Sequence, residues 1–173
     1  MSPDNLPSRA QVGGKAAVLY ELQASGFRVP PFALVTAQTA DHELAEIVDR
    51  LELPLAARSS ATAEDGSDSS FAGQFESYLN LQSLDEVVQA VQRCRDSIHT
   101  ASLAAYCRQH GIDPAAVRMN VIVQQMISPD LAGVAFTVDP TTGSDSVVVE
   151  AVAGLADGLL AGNRSPIPAD DPL

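Results

Sequence analysis

Apolar residues along this chain alternate between helical spacing and short continuous runs, with Gly, Pro and Asp clusters between them. Gly13-Gly14 open a segment carrying Val18, Leu19 and Leu22, and Gly26 with Pro30-Pro31 closes it, which predicts a helix of about three turns. Phe32 to Thr36 (FALVT) has the composition of a short buried strand. Asp41 to Leu51 returns to helical spacing through Leu44, Ile47, Val48 and Leu51. Leu53 to Ser60 (LPLAARSS) reads as strand, and Ala61 to Gly73 as loop, because Thr, Ser, Asp and Gly there show no period. Ser83 and Glu86 form a capping box ahead of Leu84, Val87, Val88, Val91, Cys94 and Ile98, the most regular helical pattern in the chain. A further helix is expected from Ala101 to His110, ending at Gly111, with a turn at Asp113-Pro114. Met119 to Ile127, Gly133 to Val138 and Ser146 to Val152 then read as three strands, and their short connections favour antiparallel neighbours. The predicted class is α+β, mostly antiparallel sheet with flanking helices. The Pro-rich acidic end, 167–173, reads as a disordered tail.

Composition narrows the function more than the fold. The 173 residues are 46% hydrophobic, enough for one domain or two small subdomains around a core. With 22 Asp plus Glu against 10 Lys plus Arg the net charge is -12, a field that repels nucleic acid and anionic lipid. No apolar run has signal-peptide or membrane-spanning character, so neither a nucleic-acid nor a membrane partner is expected, and the location is read as cytoplasmic. Cys94 and Cys107 lie in expected helices without CxxC or His-rich company, which suits buried free thiols.

Nine of the ten basic residues are Arg, leaving Lys15 as the single lysine. Gly13-Gly14-Lys15 is not a P-loop: position 9 is Arg rather than Gly, and Ala16 stands where Ser or Thr would hold magnesium. What remains is two glycines that let backbone approach a ligand, then an ammonium at a helix start, where N–H groups also attract anions. A surface lysine on an ordinary helix is the alternative, and the helix dipole disfavours it there. Arg58 leaves an apolar strand and needs an anion. Phosphate matches its fork, and so does a structural pair with Glu64 or Asp65. The following GSDSSFAGQ is dense in hydroxyls and ends near Gly73, as a phosphate-covering loop or a solvated one would. Gln124-Gln125-Met126-Ile127 combines amide and apolar side chains, a composition that suits an adenine slot or a plain strand end. Glu150 lies inside an otherwise apolar strand and reads as a ribose ligand, a residue supporting such a ligand, or, preferentially, a satisfied core acid.

Taken in order, QVGGKAAVLYEL, VPPFALVT, LAARSSATAEDGSDSSFAGQFESYLNL, VIVQQMI, GVAFTVDPTTG and VVVEAVAGLADGLLAGNRSP resemble the N-terminal nucleotide-binding domain of the phosphoenolpyruvate synthase and pyruvate phosphate dikinase family, a module shared with rifampicin phosphotransferases. The resemblance covers about Val12 to Pro166, so 1–166 is expected to be the ATP-binding domain, with a subdomain boundary near 53–60. It implies an ATP-grasp fold of two small subdomains holding ATP between them. It also implies magnesium as cofactor and phosphoryl transfer to a histidine on a separate swivelling domain or subunit. By motif matching, Lys15 and Arg58 would contact phosphates and carry the catalytic charge, Ser70 and Gly73 would belong to the covering loop, and Gln124, Met126 and Ile127 would line the adenine site.

Several features depart from that pattern. Only residues 37–52 separate FALVT from LPLAARSS, where the family usually has a longer helical wall. The family's GLGE becomes Gly154-Leu155-Ala156-Asp157, which puts alanine where positive φ is expected. The sequence ends soon after NRSP, before the family's later acidic and amide residues, so no metal ligands can be named and a truncated or split chain is expected. His42, His99 and His110 match no phosphoacceptor motif. The resulting expectation is the ATP-binding part of such a phosphotransferase, against a non-catalytic nucleotide-binding module, a degenerate fragment, or the corresponding domain of a rifampicin phosphotransferase.

Overall fold

The computed structural model describes residues 6–62 and 76–156, and within 101–110 the side chains of five positions are left aside. The chain divides into two compact units between Met126 and Ile127. The segment 53–60, where the sequence suggests a subdomain boundary, runs into a central strand of the first unit.

That first unit is a four-stranded antiparallel sheet with helices on both faces. Its elements are α1 (Arg9–Val12), α2 (Gly14–Ala24), β1 (Phe32–Val35), α3 (Asp41–Leu51), β2 (Leu55–Ala61), β3 (Ser77–Leu81), α4 (Leu84–Asp96), α5 (Ala101–His110) and β4 (Met119–Gln125). The strand order is β1-β4-β2-β3. β4 is therefore central, pairing antiparallel with β1 through Phe32↔Gln124 and with β2 through Arg58↔Ile122. Alternation along β2 sends Leu55 and Ala57 to a core with Val48, Val87 and Val91 of α3 and α4. Ile122, opposite Arg58, packs with Val12, Ala16 and Ala17 on the other face. Helices on both faces explain why β4 is buried from Met119 to Gln124, the polar Asn120 and Gln124 included, instead of alternating between buried and exposed positions.

The helix signals fold as their chemistry dictates. Ser83 Oγ accepts from Glu86 N at 3.2 Å, and the Glu86 carboxylate accepts from Gln82 N at 2.7 Å, closing the capping box one residue earlier than its usual form. Gly111 ends α5 in the left-handed region, φ 64. Both cysteines are free and buried. The expected adjacency of the last three strands is corrected for the first of them: β4 finds its partners at β1 and β2, where six of its seven residues, Met119 to Gln124, are buried between helices on both faces of the sheet.

The second unit, described over 127–156, contains an antiparallel ribbon of β5 (Leu131–Phe136) and β6 (Val148–Ala153). Between them, Asp139 Oδ1 accepts from Thr141 N at 2.7 Å and from Thr142 N at 3.1 Å. Those backbone donors hold the Asp139 carboxyl below its ordinary range. Glu150 is exposed on β6, so its reading as a core acid is corrected; in a two-stranded ribbon an apolar run is not a sign of burial on both faces. Gly154 supplies the positive φ at the start of GLAD, 74°, and its N–H donates to Asp130 O at 2.9 Å. Among described non-glycine residues only Glu52 and Asn80 have positive φ, so Ala156 is not strained in that way.

Candidate functional site

Lys15 lies in the first turn of α2, half-buried. The corner leading to it turns at Gly13, φ 87 and ψ 163, a conformation open to glycine and little else. There is a second reason for glycine: a Cβ here would overlap the carbonyl and hydroxyl oxygens of Ser60. The close backbone approach read from Gly13-Gly14 is thus, at Gly13, an approach to strand β2. Ser60 Oγ donates to Val12 O at 3.0 Å and accepts from Ala16 N at 3.1 Å, tying the residues on either side of Gly13-Gly14-Lys15 to the sheet.

Arg58 is half-buried on β2, opposite Ile122 of β4 and Ser77 of β3. Because strand side chains alternate, Ala56, Arg58 and Ser60 share one face, and their partners Gln124, Ile122 and Asn120 share it too. Arg58 therefore stands on the face that receives α2, one strand repeat of roughly 7 Å from the serine that holds the helix start. Its alternative partners Glu64 and Asp65 lie outside the described residues, as do Ser70 and Gly73. The flanks of 63–75 are described. Thr62 N donates to Arg118 O and Arg118 N to Thr62 Oγ1, both at 3.0 Å. On the returning side, Glu76 O accepts from Ser59 Oγ at 3.2 Å and from Cys94 Sγ at 3.9 Å. Both flanks meet the sheet at the C-terminal half of β2, where α2 begins.

The charge of Lys15 is felt in that region. Burial pushes the Cys94 thiol above its ordinary value, opposed by a hydrogen bond from Ser59, reinforced by the charge of Glu76 and opposed again by that of Lys15. The Lys15 ammonium and the Glu76 carboxylate thus both lie within electrostatic reach of Cys94.

The adenine candidates occupy different settings. Gln124 is 7% exposed and its Nε2 donates to Pro30 O at 3.2 Å, so one amide hydrogen is engaged within the fold. Met126, just past β4, is half-buried and its N–H donates to Pro54 O at 3.0 Å. Ile127 begins the second unit and is 55% exposed. His42 and His99 are exposed. Among the described residues no group of three or more His, Cys, Asp or Glu is arranged to hold a metal ion. No helix among them is long and apolar enough to cross a membrane. The residues that sequence reading passed over are Ser60 and Asn120, both buried polar groups. Strand alternation is the signal that would have found Ser60, since it falls two positions from Arg58.

This is a mixed arrangement of helices and antiparallel sheet in which the strand carrying Arg58 is hydrogen-bonded, through Ser60, to a helix start. Residues 42–168 match the family described as pyruvate phosphate dikinase, AMP/ATP-binding domain, and the chain belongs to that family. A probable phosphoenolpyruvate synthase of Methanocaldococcus jannaschii is 41% identical over 128 residues, covering 73% of this chain and 11% of the relative. A second probable phosphoenolpyruvate synthase, from Pyrococcus abyssi, is 34% identical over 163 residues, covering 94% and 20%. A rifampicin phosphotransferase of Streptomyces sviceus is 44% identical over 112 residues, covering 64% and 13%. The chain thus spans between 11 and 20% of the length of these relatives.

Proposed function

We propose that this AMP/ATP-binding domain holds ATP with its phosphates at the C-terminal half of β2, in an ATP-grasp manner, as the nucleotide-binding part of a phosphotransferase. The observation that carries the reading is the convergence there of Arg58, the helix start bearing Lys15, and both flanks of the hydroxyl-rich segment 63–75. Lys15 acts as a point charge and Arg58 as a bidentate fork on phosphate oxygens. Phosphoryl transfer depends mainly on positioning and on neutralising charge spread over those oxygens, which two cations on a rigid sheet and helix supply. Ser70 and Gly73 contribute hydroxyl and backbone contacts from the covering loop, and Gln124, Met126 and Ile127 contact the base. Magnesium, when bound, neutralises phosphate charge. The phosphoryl group passes to a histidine on another domain or subunit, and the final acceptor, pyruvate or an antibiotic, is chosen there. The setting is cytoplasmic.

Isothermal titration of the chain with ATP and magnesium, beside Lys15→Ala, tests this. Binding by the parent that falls at least tenfold in the variant supports it. A folded parent that does not bind, or a variant that binds equally, overturns it.

A further inference from the structure

Ser60 and Asn120 face each other across β2 and β4 on the face that carries Arg58. Both are polar, and both are buried, at 0% and 6% exposure. Buried polar groups are kept out of water at a cost unless they are hydrogen-bonded, and an apolar pair would fill the same space without that requirement. Here the bonds reach a single destination. Ser60 Oγ donates to Val12 O and accepts from Ala16 N, while Asn120 Nδ2 donates to Gln11 O at 3.0 Å. Three directional bonds thus fix the α1–α2 corner on the sheet, and the residue between the two Ser60 attachments that bears a charge is Lys15. Apolar contact through Ala16, Ala17 and Ile122 holds α2 down, but hydrophobic packing is non-directional and leaves rotation and sliding less restricted. Hydrogen bonds to a strand residue set both.

We propose that Ser60, supported by Asn120, is a positioning residue for nucleotide binding: it fixes the first turn of α2 so that the Lys15 ammonium is held at a set distance from the Arg58 guanidinium. Ser60 touches no phosphate; it acts through Lys15. The inference rests on the reading of Lys15 as a phosphate ligand.

The test compares ATP with adenosine, which shares the base and ribose but lacks phosphate, on the parent chain, Ser60→Ala, Lys15→Ala and the double variant, with Tm measured for each. Ser60→Ala is expected to lower the ratio of ATP to adenosine affinity by about tenfold, the equivalent of one well-made charged contact. The double variant is expected to bind ATP no worse than Lys15→Ala alone, because Ser60 has nothing left to position. A lower Tm with an unchanged affinity ratio, or losses that simply add in the double variant, would make Ser60 structural only and overturn the proposal. If Ser60→Ala does not fold, Ser60→Cys preserves the volume while weakening both hydrogen bonds, and the same ratio decides. Lys15→Ala without effect on ATP sinks the functional reading itself; Lys15→Ala with effect and an unmoved ratio in the serine variant sinks only the positioning role.

Discussion

A Cβ built on Gly13 would collide with the carbonyl and hydroxyl oxygens of Ser60, so the corner has room only for glycine. Gly26 has a similar φ, 84 against 87, but nothing within 4 Å of the position its Cβ would take. Gly13→Ala therefore combines a disfavoured dihedral with a collision against strand backbone, and Gly26→Ala has the dihedral alone. The expected cost is above about 2 kcal/mol for the first and about 1 kcal/mol for the second, read by urea unfolding. Equal costs would mean that β2 yields easily to the corner.

Lys15→Ala is expected to weaken ATP binding by about 1.5 to 3 kcal/mol, the range for a hydrogen bond to a charged group. Arg58→Lys keeps the charge and loses the fork, so it too should weaken binding if the phosphate contact is bidentate. Were Arg58 engaged only in a structural ion pair, the change would lower Tm and leave nucleotide affinity as it was.

The buried Cys94 thiol gives a pH dependence of defined sign. Its folded-state pKa lies above the ordinary value, so the folded chain keeps a proton that the unfolded chain releases. Its contribution to stability is complete below the ordinary thiol pKa of about 8.5 and is lost as pH rises through the higher folded value. Tyr20, raised by burial, adds a loss in the same direction at higher pH. Urea midpoints measured from pH 7 upward should therefore decline for the parent, with a shallower first decline in Cys94→Ala. Parallel curves would show that the thiol is not shifted.

Arg95 joins α4 to the end of β1 through a 2.6 Å bond from Nη2 to Thr36 O, while its buried Nε finds no acceptor among the described residues. Arg95→Met keeps much of the apolar stem and removes the donor. A stability loss of about 1 to 3 kcal/mol is expected, from leaving a part-buried carbonyl without its partner. A neutral result in urea unfolding would mean that water replaces the guanidinium there.

Legibility in the sequence followed the strength of local signals. α4 was readable because apolar spacing agreed with its capping box, and α3 because its apolar spacing from Leu44 to Leu51 is regular, the helix spanning Asp41–Leu51 as expected. β3 was missed because SYLNL is an edge strand with Ser77, Leu79 and Asn80 exposed and Asn80 at φ 58, so it lacks both alternation and an apolar run. Pairing was harder than element type. Short loops suggested that β4 would join β5, and nothing local reveals that Val121 and Val123 instead complete a core with β1, α3 and α4. At the proposed site, Lys15 and Arg58 stand out in the sequence, one as the single lysine and the other as a cation at the end of an apolar strand. Ser60 was not singled out, because a serine's role depends on which face of the strand it occupies and on the helix that lands there.

The central position of β4 also constrains how the chain acquires its structure. β1 and β2 do not pair with each other; each waits for residues 119–125 to come between them. Closing those two pairings brings together positions some 60 to 90 residues apart, which makes sheet assembly slow relative to helix formation. On a ribosome, α2, α3 and α4 are synthesised before β4, so the β2–β3 pair can cover part of α4 while the core positions filled by Val121 and Val123 wait for the later strand. A chain truncated ahead of Met119 would lack the strand that pairs with both β1 and β2, leaving those two edges and the core positions of Val121 and Val123 unfilled.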